Sequence, residues 1–586
     1  MSIDRMTQLI RFVAIVLVPF STMAHPEPGN ACAEADAELG QLMSSHEVRE
    51  RVQSLRELME KAIATSGQTP HELVVGLFIE PPTIASAHPA ASALLPEPMA
   101  LEVLVTGAKP LDSVIARLGQ IHEQLDVALA EVTDQHAIRL GGLLPEMLER
   151  TSTGSDLEEL EHGPVLVEIQ SSIDQSALKH AAALLAGLAQ DKVATALAEH
   201  FGDTSTRSVP NWLEAQVTGP VIFAEWTELG IVIIGGPGSN IYTGPAALII
   251  DTGGDDVYAL PGGDRVRVII DLAGDDSYSG QSEGALGASV LGAGLIADHA
   301  GNDIYAGGRI TQGASVAGIG MLHDRAGNDR YFAAELAQGA SLAGIGALVD
   351  SAGDDIYTAA KFAQGYGGAL GVGSLIDEAG NDAYLAGHRH PSSYGVPGNF
   401  QAFSQGVGMG FRNDVAGGIG LLRDDGGHDR YIAGNFSQGT GYYLGAGLLL
   451  DGQGDDTYAG GRFTQGAAAH LGAGLLRDAA GNDVYSGSTS ASQAGAWDMA
   501  IAALVDCAGD DAYSANEFGL GSAAQNAIAL FVDAAGKNRY VAGRHSKGHS
   551  GPTDYHADVN RVGNLAVFIS GNITRAAPDA GTGEDR

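Results

Sequence analysis

Short apolar runs, separated by small and polar residues, recur through residues 216–550 with a nearly constant period. Each unit carries the pattern Asp-x-x-Gly-x-Asp-x-Tyr, as in Asp324–Tyr331, and most successive copies begin 26 to 28 residues apart. The apolar segments between the copies are short and alternate with glycine, which favours strands of four to eight residues over helices. Two or three strands of this length, joined by tight turns, account for the length of one repeat unit. The sequence therefore predicts a mainly β fold, a parallel β-helix or β-solenoid of about 12 coils of roughly 26 to 27 residues.

Residues at equal positions of stacked coils form columns along such a solenoid, with a spacing of about 4.8 Å. The tyrosine that ends each copy recurs from Tyr242 to Tyr540 and is expected to line the core. A Gln-Gly pair recurs from Gln312 to Gln465. We expect these glutamines to form an inward ladder in which each amide bonds the next.

The segments on either side of the repeats follow other patterns. Apolar residues recur at helical spacing after Pro110 and again between Ala177 and His200, so residues 25–215 are predicted to form a mostly helical domain. Residues 551–586 are expected to contribute a C-terminal cap, with a closing strand near Leu565, followed by a disordered tail.

Residues 1–24 have the features of a secretory signal peptide. Arg5 and Arg11 precede or border a short apolar run, which is followed by small residues suited to a cleavage site. An N-terminal anchor is the alternative, and no transmembrane segment is expected after signal removal. The protein is therefore predicted to be secreted or periplasmic. Its two cysteines, Cys32 and Cys507, lie far apart and leave free, buried and mutually paired states open.

The composition is strongly acidic. Asp and Glu total 71 residues against 32 Lys and Arg, which gives a formal net charge of −39. Such a chain is not expected to bind nucleic acid or anionic lipid, because both are negatively charged. It is expected to attract cations.

Of the 71 acidic residues, 21 aspartates lie in two columns, eleven in one and ten in the other. The first aspartate column contains the first Asp of each repeat, and the second aspartate column contains the Asp five residues later. Counted from the first Asp as position 1, these second aspartates occupy position 6. In the last copy position 6 is Asn538 instead. The candidate metal ligands are Asp251, Asp256, Asp271, Asp276, Asp298, Asp303, Asp324, Asp329, Asp350, Asp355, Asp377, Asp382, Asp424, Asp429, Asp451, Asp456, Asp478, Asp483, Asp506 and Asp511; Asp533 completes the first column.

Stacked carboxylates need compensation. Two unit charges about 4.8 Å apart repel by roughly 0.9 kcal/mol in water and roughly 3.5 kcal/mol at an effective dielectric of 20. Hydrogen bonds from turn amides, raised pKa values or bound cations can each offset this repulsion. Calcium suits an oxygen-only site, since it takes six to eight oxygen ligands in flexible geometry. A ladder of aspartates bonded to backbone amides is the competing interpretation.

The turns resemble the calcium-binding nonapeptide repeats of RTX (hemolysin-type) proteins, whose pattern is G-G-x-G-x-D-x-U-x. Residues Gly235–Tyr242 follow that pattern except for Asn240, and Gly301, Asp303 and Tyr305 match its second half. The resemblance implies that Asp303 and its equivalents bind calcium between coils. It is limited to about eight residues per coil. This chain has one motif per coil rather than tandem copies, Asp at position 1, and an N-terminal signal rather than a C-terminal one.

One coil is irregular. Residues 377–424 exceed the period by some 20 residues, in loops on both sides of Gln405. The loops carry five candidate catalytic residues: His388, Arg389, His390, Arg412 and Asp414. Secreted β-helices often act on acidic polysaccharides, so an arginine here would neutralise a uronate and a histidine would act as base. Solvated loops without a site are the alternative.

These patterns favour a non-enzymatic repeat protein that binds calcium along its aspartates. A structural, adhesive or protein-interaction role would follow, with a polysaccharide or a cell-surface protein as partner. The alternative function is a polysaccharide lyase or hydrolase with its site at residues 388–414. Fold alone is a weak guide to the choice between them.

Overall fold

A computed structural model describes residues 109–153, 160–202, 204–263, 265–412, 414–553 and 563–570. The predicted signal peptide, residues 25–108 and residues 571–586, which include the predicted C-terminal tail, lie outside this part. The described chain forms a group of helices followed by a parallel β-solenoid, which confirms the predicted fold class. The solenoid has about ten turns rather than 12. The difference arises because the first two repeats, 16 and 20 residues long, are too short to include a strand on the third side.

Two long sheets run along the solenoid, and the first contains the tyrosines. It has 14 strands, parallel except where the first strand meets the second. We call it the tyrosine sheet. Its strands are Val217–Thr218, Ile241–Tyr242, Val257–Ala259, Ser277–Gly280, Ile304–Gly307, Arg309–Thr311, Arg330–Ala337, Ile356–Lys361, Ala383–Ala386, Arg430–Ile432, Thr457–Gly460, Val484–Ser490, Ala512–Glu517 and Arg539–Arg544.

The second long sheet ends each regular strand on an aspartate, and we call it the aspartate sheet. It also has 14 strands, parallel after an initial antiparallel pair. Its strands are Val221–Thr227, Gly230–Gly235, Leu248–Asp251, Val266–Asp271, Ala293–Asp298, Ile319–Asp324, Ile345–Asp350, Val372–Asp377, Ile419–Asp424, Ala446–Asp451, Ala473–Asp478, Ile501–Asp506, Ile528–Asp533 and Leu565–Ser570. The last of these is the closing strand expected near Leu565, and it pairs in parallel with Ile528–Asp533.

The third side of the solenoid carries short strands in two groups. The first group comprises Ser289–Val290, Ser315–Val316 and Ser341–Leu342, and the second comprises Gly408–Met409, Gly441–Tyr442, Ala468–Ala469, Ala496–Trp497 and Ala523–Ala524. Single bridges through Gly367 connect the two groups. A further pair, Gln401–Ser404 with Asn435–Ser437, lies at the irregular coil. Strict parallel register places equivalent residues of successive coils directly beside each other.

The core follows from the alternation of side chains along the strands. The tyrosines that end the repeats, from Tyr242 to Tyr513, are at most 1 % exposed, and their rings stack with centroids 4.6 to 5.2 Å apart along the column from Tyr242 to Tyr540. Leu322 and its equivalents in the aspartate sheet pack against them from the facing wall. The tyrosine column therefore lines the core, as the repeat pattern predicted.

In the described part of the chain, five α-helices precede the solenoid: Pro110–Ala128, Asp134–Thr153, Val165–Ser172, Gln175–Ala186 and Asp191–Phe201, with a 3-10 turn at Gly187–Ala189. The first buries Val114, Leu118, Ile121 and Leu125 along one face, as its apolar spacing predicts. No single described helix is long and apolar enough to cross a membrane. Only the bent pair Gln175–Ala189 and Asp191–Phe201 meets that test jointly.

The helices pack on the outer face of the aspartate sheet. Leu118 belongs to the same buried cluster as Val268 and Leu295 of that sheet. At the rim of this contact the Arg325 guanidinium lies 3.0 Å from the Asp191 carboxylate. The helical group is thereby attached to the first half of the solenoid.

The glutamine column is buried, but its predicted bonding is wrong. Gln312 Nε2 donates to the carbonyl oxygens of Tyr305 (2.8 Å) and Phe332 (2.9 Å), and not to another glutamine. Gln312 and Gly313 both adopt left-handed backbone conformations, with φ of 54° and 70°. The side chain is thus turned towards the tyrosine sheet, where it joins carbonyl groups of two adjacent coils.

Cys507 lies directly after the aspartate-sheet strand that ends at Asp506; it is 1 % exposed and disulfide-bonded. Cys32, the other cysteine of the sequence, lies outside the described residues. We expect peptide mapping without reductant to recover a Cys32–Cys507 pair. Because a bond closing so long a loop restricts the unfolded chain, Cys507→Ser should cost roughly 4 kcal/mol of unfolding free energy. Cys32→Ser should cost as much and the double variant no more, whereas unchanged melting in all three would contradict the pairing.

Candidate metal centre

The turn between the two long sheets is built from Asp324–Tyr331 and its repeats. Asp324 ends its strand, and its Oδ1 accepts a hydrogen bond from the Ala326 amide (3.2 Å), which fixes the start of the turn. A Cβ atom on Gly327 would lie 1.7 Å from the carbonyl oxygen of Gly301 in the preceding coil. Glycine is therefore required for turns of successive coils to stack at strand spacing.

The first aspartate column lies inside the solenoid wall. Asp324 and Asp350 are 0 % exposed. The Oδ2 of Asp350 accepts a hydrogen bond from the Tyr331 hydroxyl of the preceding coil (2.6 Å), and Asp324 receives the same bond from Tyr305 (2.6 Å). Burial raises the pKa of Asp324 to about 6, although the hydroxyl and amide donors oppose the rise. The tyrosine column thus serves both as core and as a row of donors to these carboxylates.

A tyrosine that loses its hydroxyl tests this role. Tyr331→Phe should lower the unfolding free energy by about 1–3 kcal/mol, because Asp350 Oδ2 then loses a buried donor. Tyr366→Phe is the matched control, since the buried Tyr366 hydroxyl has no hydrogen-bond partner. Thermal melts should show a loss for the first variant and none for the second. Equal losses would mean that ring packing, not the hydroxyl, determines stability here.

The second aspartate column forms a ladder with backbone amides. Asp329 Oδ1 accepts from the amide of Asp303 (2.5 Å), and Asp355 Oδ1 accepts from the amide of Asp329 (2.5 Å). The same bond joins each member to the next from Asn240 to Asn538. One oxygen of each carboxylate is therefore satisfied by the amide ladder that the sequence offered as the alternative to calcium.

The other oxygen of each of these carboxylates is buried without a partner. The orphaned atoms are Oδ2 of Asp256, Asp276, Asp303, Asp329, Asp355, Asp382, Asp429, Asp456, Asp483 and Asp511. All ten residues are at most 2 % exposed. Burial, together with the neighbouring carboxylates, raises the pKa of Asp303 to about 8 and that of Asp329 to about 9. Each orphaned oxygen must therefore hold a proton or face a cation.

The two columns meet to form carboxylate triads. Asp298, Asp303 and Asp324 each offer an oxygen, and these atoms lie within 4.8 Å of one another. The same grouping recurs along the solenoid, for example in Asp324, Asp329 and Asp350. Such a triad could hold a metal ion, and its all-oxygen donors suit a hard cation. The structure thus brings together the residues of both predicted columns.

The ends of the column show how a turn is completed without a charge at position 6. Asn538 keeps the amide ladder through its Oδ1, while its Nδ2 donates to Asp533 Oδ1 in the same turn (2.5 Å). At the opposite end, Asn240 Nδ2 donates to the Tyr242 hydroxyl (2.9 Å). An amide therefore supplies the donor that an ionised aspartate lacks. The interior turns, which have aspartate instead, need a proton or a metal ion in that place.

The five candidates of the irregular coil have different surroundings. His390 Nε2 lies 2.8 Å from Glu335 Oε1, beside the fully buried Lys361. Asp414 Oδ2 accepts from the backbone amide of Leu160 in the helical group (2.6 Å).

The arginines and the remaining histidine lie at the surface of the irregular coil. Arg412 lines a groove together with Tyr394, whereas His388 and Arg389 lie in the loop that precedes His390. His390 and Asp414 thus contact different elements, Glu335 of an earlier coil and Leu160 of the helical group.

Sequence reasoning missed the separate environment around Lys361. This lysine is 0 % exposed, and burial lowers its pKa to about 8 although Glu335 opposes the change. Its position at the end of a tyrosine-sheet strand gave no signal, because the neighbouring acid lies in the preceding coil.

Comparison with family models, curated proteins and solved structures finds no match for this chain.

Proposed function

We propose that this chain is a secreted or periplasmic, non-enzymatic repeat protein that binds calcium ions in its aspartate triads. The observation that carries the proposal is the row of orphaned, buried Oδ2 atoms in the second aspartate column. In the triads these aspartates lie beside first-column carboxylates, so one cation can neutralise several acids at once. Calcium fits better than zinc or copper, because the triads offer neither sulfur nor imidazole.

Bound calcium would tie successive coils together. A triad such as Asp298, Asp303 and Asp324 draws ligands from two adjacent coils. Metal affinity then becomes folding free energy, since the unfolded chain does not hold these ligands together. A rod made rigid in this way suits a structural or adhesive role or protein interaction outside the cell. The disulfide at Cys507 supports an oxidising compartment, where such bonds persist.

Calcium binding to the chelator-treated full chain tests the proposal. Isothermal titration and metal analysis after dialysis should find several calcium ions per chain at pH 8. Binding should weaken at pH 5, because protons compete for the second-column carboxylates. Magnesium should bind less well, since it demands a compact octahedral shell. Failure to retain any calcium at pH 8 would overturn the proposal in favour of carboxylates that share protons.

A further inference from the structure

A groove of about 540 Å³ runs along the third side of the solenoid, beginning at the irregular coil. Tyr394 and Arg412 line its start, and residues of the following coils, including Arg462, Trp497 and His545, continue it. The lining therefore comes from five of six successive coils, which span roughly 24 Å at the spacing of parallel strands. That shape fits an extended chain better than a compact small molecule.

The groove combines aromatic surfaces with cationic groups. The Arg462 guanidinium carbon lies 4.3 Å from the centroid of the Tyr394 ring and 5.2 Å from that of Phe463. Trp497 is partly exposed and packs edge-on against Phe518. Aromatic faces of this kind provide platforms for the apolar faces of flat ligands, and the guanidinium groups provide donors for carboxylates.

Arg462 is notable for its lack of an acidic partner. Among the described residues no Asp or Glu forms an ion pair with it, although the chain has 71 acids against 32 Lys and Arg. Its Nε is buried and has no hydrogen-bond partner. The stacking on Tyr394 holds the guanidinium at the groove, where its donors are available to a ligand anion.

An acceptor lies beside these donors. His470, which lines the groove, has its Nδ1 2.6 Å from Oδ2 of the buried Asp498, and the Glu517 carboxylate lines the groove further along. Carboxylates of this kind accept hydrogen bonds from hydroxyl groups but repel a densely charged polyanion. The net charge of −39 adds to that repulsion and disfavours nucleic acid. A chain with many hydroxyls and widely spaced carboxylates satisfies both conditions.

From these features we infer that the groove binds an acidic polysaccharide, with sugar faces on Tyr394 and Trp497 and a uronate carboxylate on Arg462. Arg412 lines the same groove. Binding here is independent of the aspartate triads, so it does not rest on the calcium proposal. No cleavage of the sugar chain is implied.

The test is titration of the full chain with an oligogalacturonate of about six sugars, in calcium and in chelator. Arg462→Gln and Trp497→Ala should each weaken binding about tenfold or more, since each removes a buried or charge-assisted contact. Arg309→Gln and Trp226→Ala are matched controls, because Arg309 pairs with Glu283 and Trp226 is 65 % exposed, both outside the groove. The controls should bind like the parent chain.

Two comparison probes, a neutral hexasaccharide and poly-glutamate, define the ligand class. A neutral hexasaccharide should bind at least tenfold more weakly than the oligogalacturonate, and poly-glutamate should show no loss in the Trp497→Ala variant. Equal binding of the neutral sugar would overturn the carboxylate assignment, and tight, Trp497-dependent binding of poly-glutamate would overturn the carbohydrate assignment. Absence of oligogalacturonate binding, or equal loss in groove variants and controls, would overturn the site. Melting curves verify that Arg462→Gln folds, and Trp497→Ala provides an independent variant if it does not.

Discussion

Calcium is expected to raise the melting temperature of the chelated protein, by an increment that grows as the pH rises from about 5 to 9. In the metal-free protein, the pKa of Asp355 is raised to about 7 and that of Asp303 to about 8. The unfolded value for aspartate is about 3.9. Between these limits the native state holds more protons than the unfolded state. Its stability therefore falls as the pH rises through that window.

Calcium should remove this loss of stability at high pH. A bound cation neutralises the same oxygens without a proton, so deprotonation then favours the metal-bound native state. Each site at one hundred times its dissociation constant adds about 2.7 kcal/mol, so a few sites should raise the melting temperature by roughly 10 °C or more. Differential scanning calorimetry at pH 5, 7 and 9, with chelator, magnesium or calcium, measures the effect. Superimposable curves in chelator and calcium at pH 9 would show that protons alone compensate the buried carboxylates of the two aspartate columns.

The architecture could be predicted because a repeat multiplies each local signal. The spacing from Asp298 to Asp324 and from Tyr305 to Tyr331 identified the turn, the column and the buried face. In a parallel solenoid equal positions meet directly, so one pattern in the sequence becomes a contact in space. The carboxylate triads were predictable for the same reason.

The hydrogen bonds that the sequence did not predict depend on side-chain directions, which a residue pattern does not specify. Gln312 was expected to bond another glutamine, yet its left-handed backbone turns the amide towards the carbonyls of Tyr305 and Phe332. The two interpretations of the aspartates were treated as competitors. In the structure Asp329 uses one oxygen for the amide ladder and leaves the other orphaned. Periodicity identifies a residue's column, but the backbone conformation determines which atom meets which.

The contacts of the irregular coil could not be predicted for a different reason. Its loops occur only once in the chain, so the repeat pattern gives no information about how they fold. Asp414 contacts Leu160 of the helical group and His390 contacts Glu335 of an earlier coil, partners that are distant in sequence. The groove beside Arg412 also includes Trp497 and His545, which lie up to five coils away from the loop itself. Only the stacked structure reveals that these residues form one surface.

Asp355→Asn is expected to have opposite effects in chelator and in calcium. Asn538 shows the geometry that an asparagine adopts at position 6: it keeps the amide ladder and donates Nδ2 to the aspartate of its own turn. The variant at 355 should likewise donate to Asp350 and remove one buried charge. In chelator at pH 9 its unfolding free energy should therefore exceed that of the parent chain by about 1–3 kcal/mol. At pH 5 the gain should be small, because Asp355 with a pKa of about 7 is already protonated.

Saturating calcium should reverse the order. The variant lacks one carboxylate of the triad formed by Asp355, Asp377 and Asp382, so it should bind one or two fewer calcium ions and melt below the parent chain. Asp354→Asn is the matched control: it removes the same charge from the adjacent, exposed position, whose Oδ1 accepts from Asn381. That variant should follow the parent chain in both conditions. A stabilisation of Asp355→Asn that persists unchanged in calcium would assign the second aspartate column to shared protons, because a site that holds no metal has nothing to lose when its carboxylate becomes an amide.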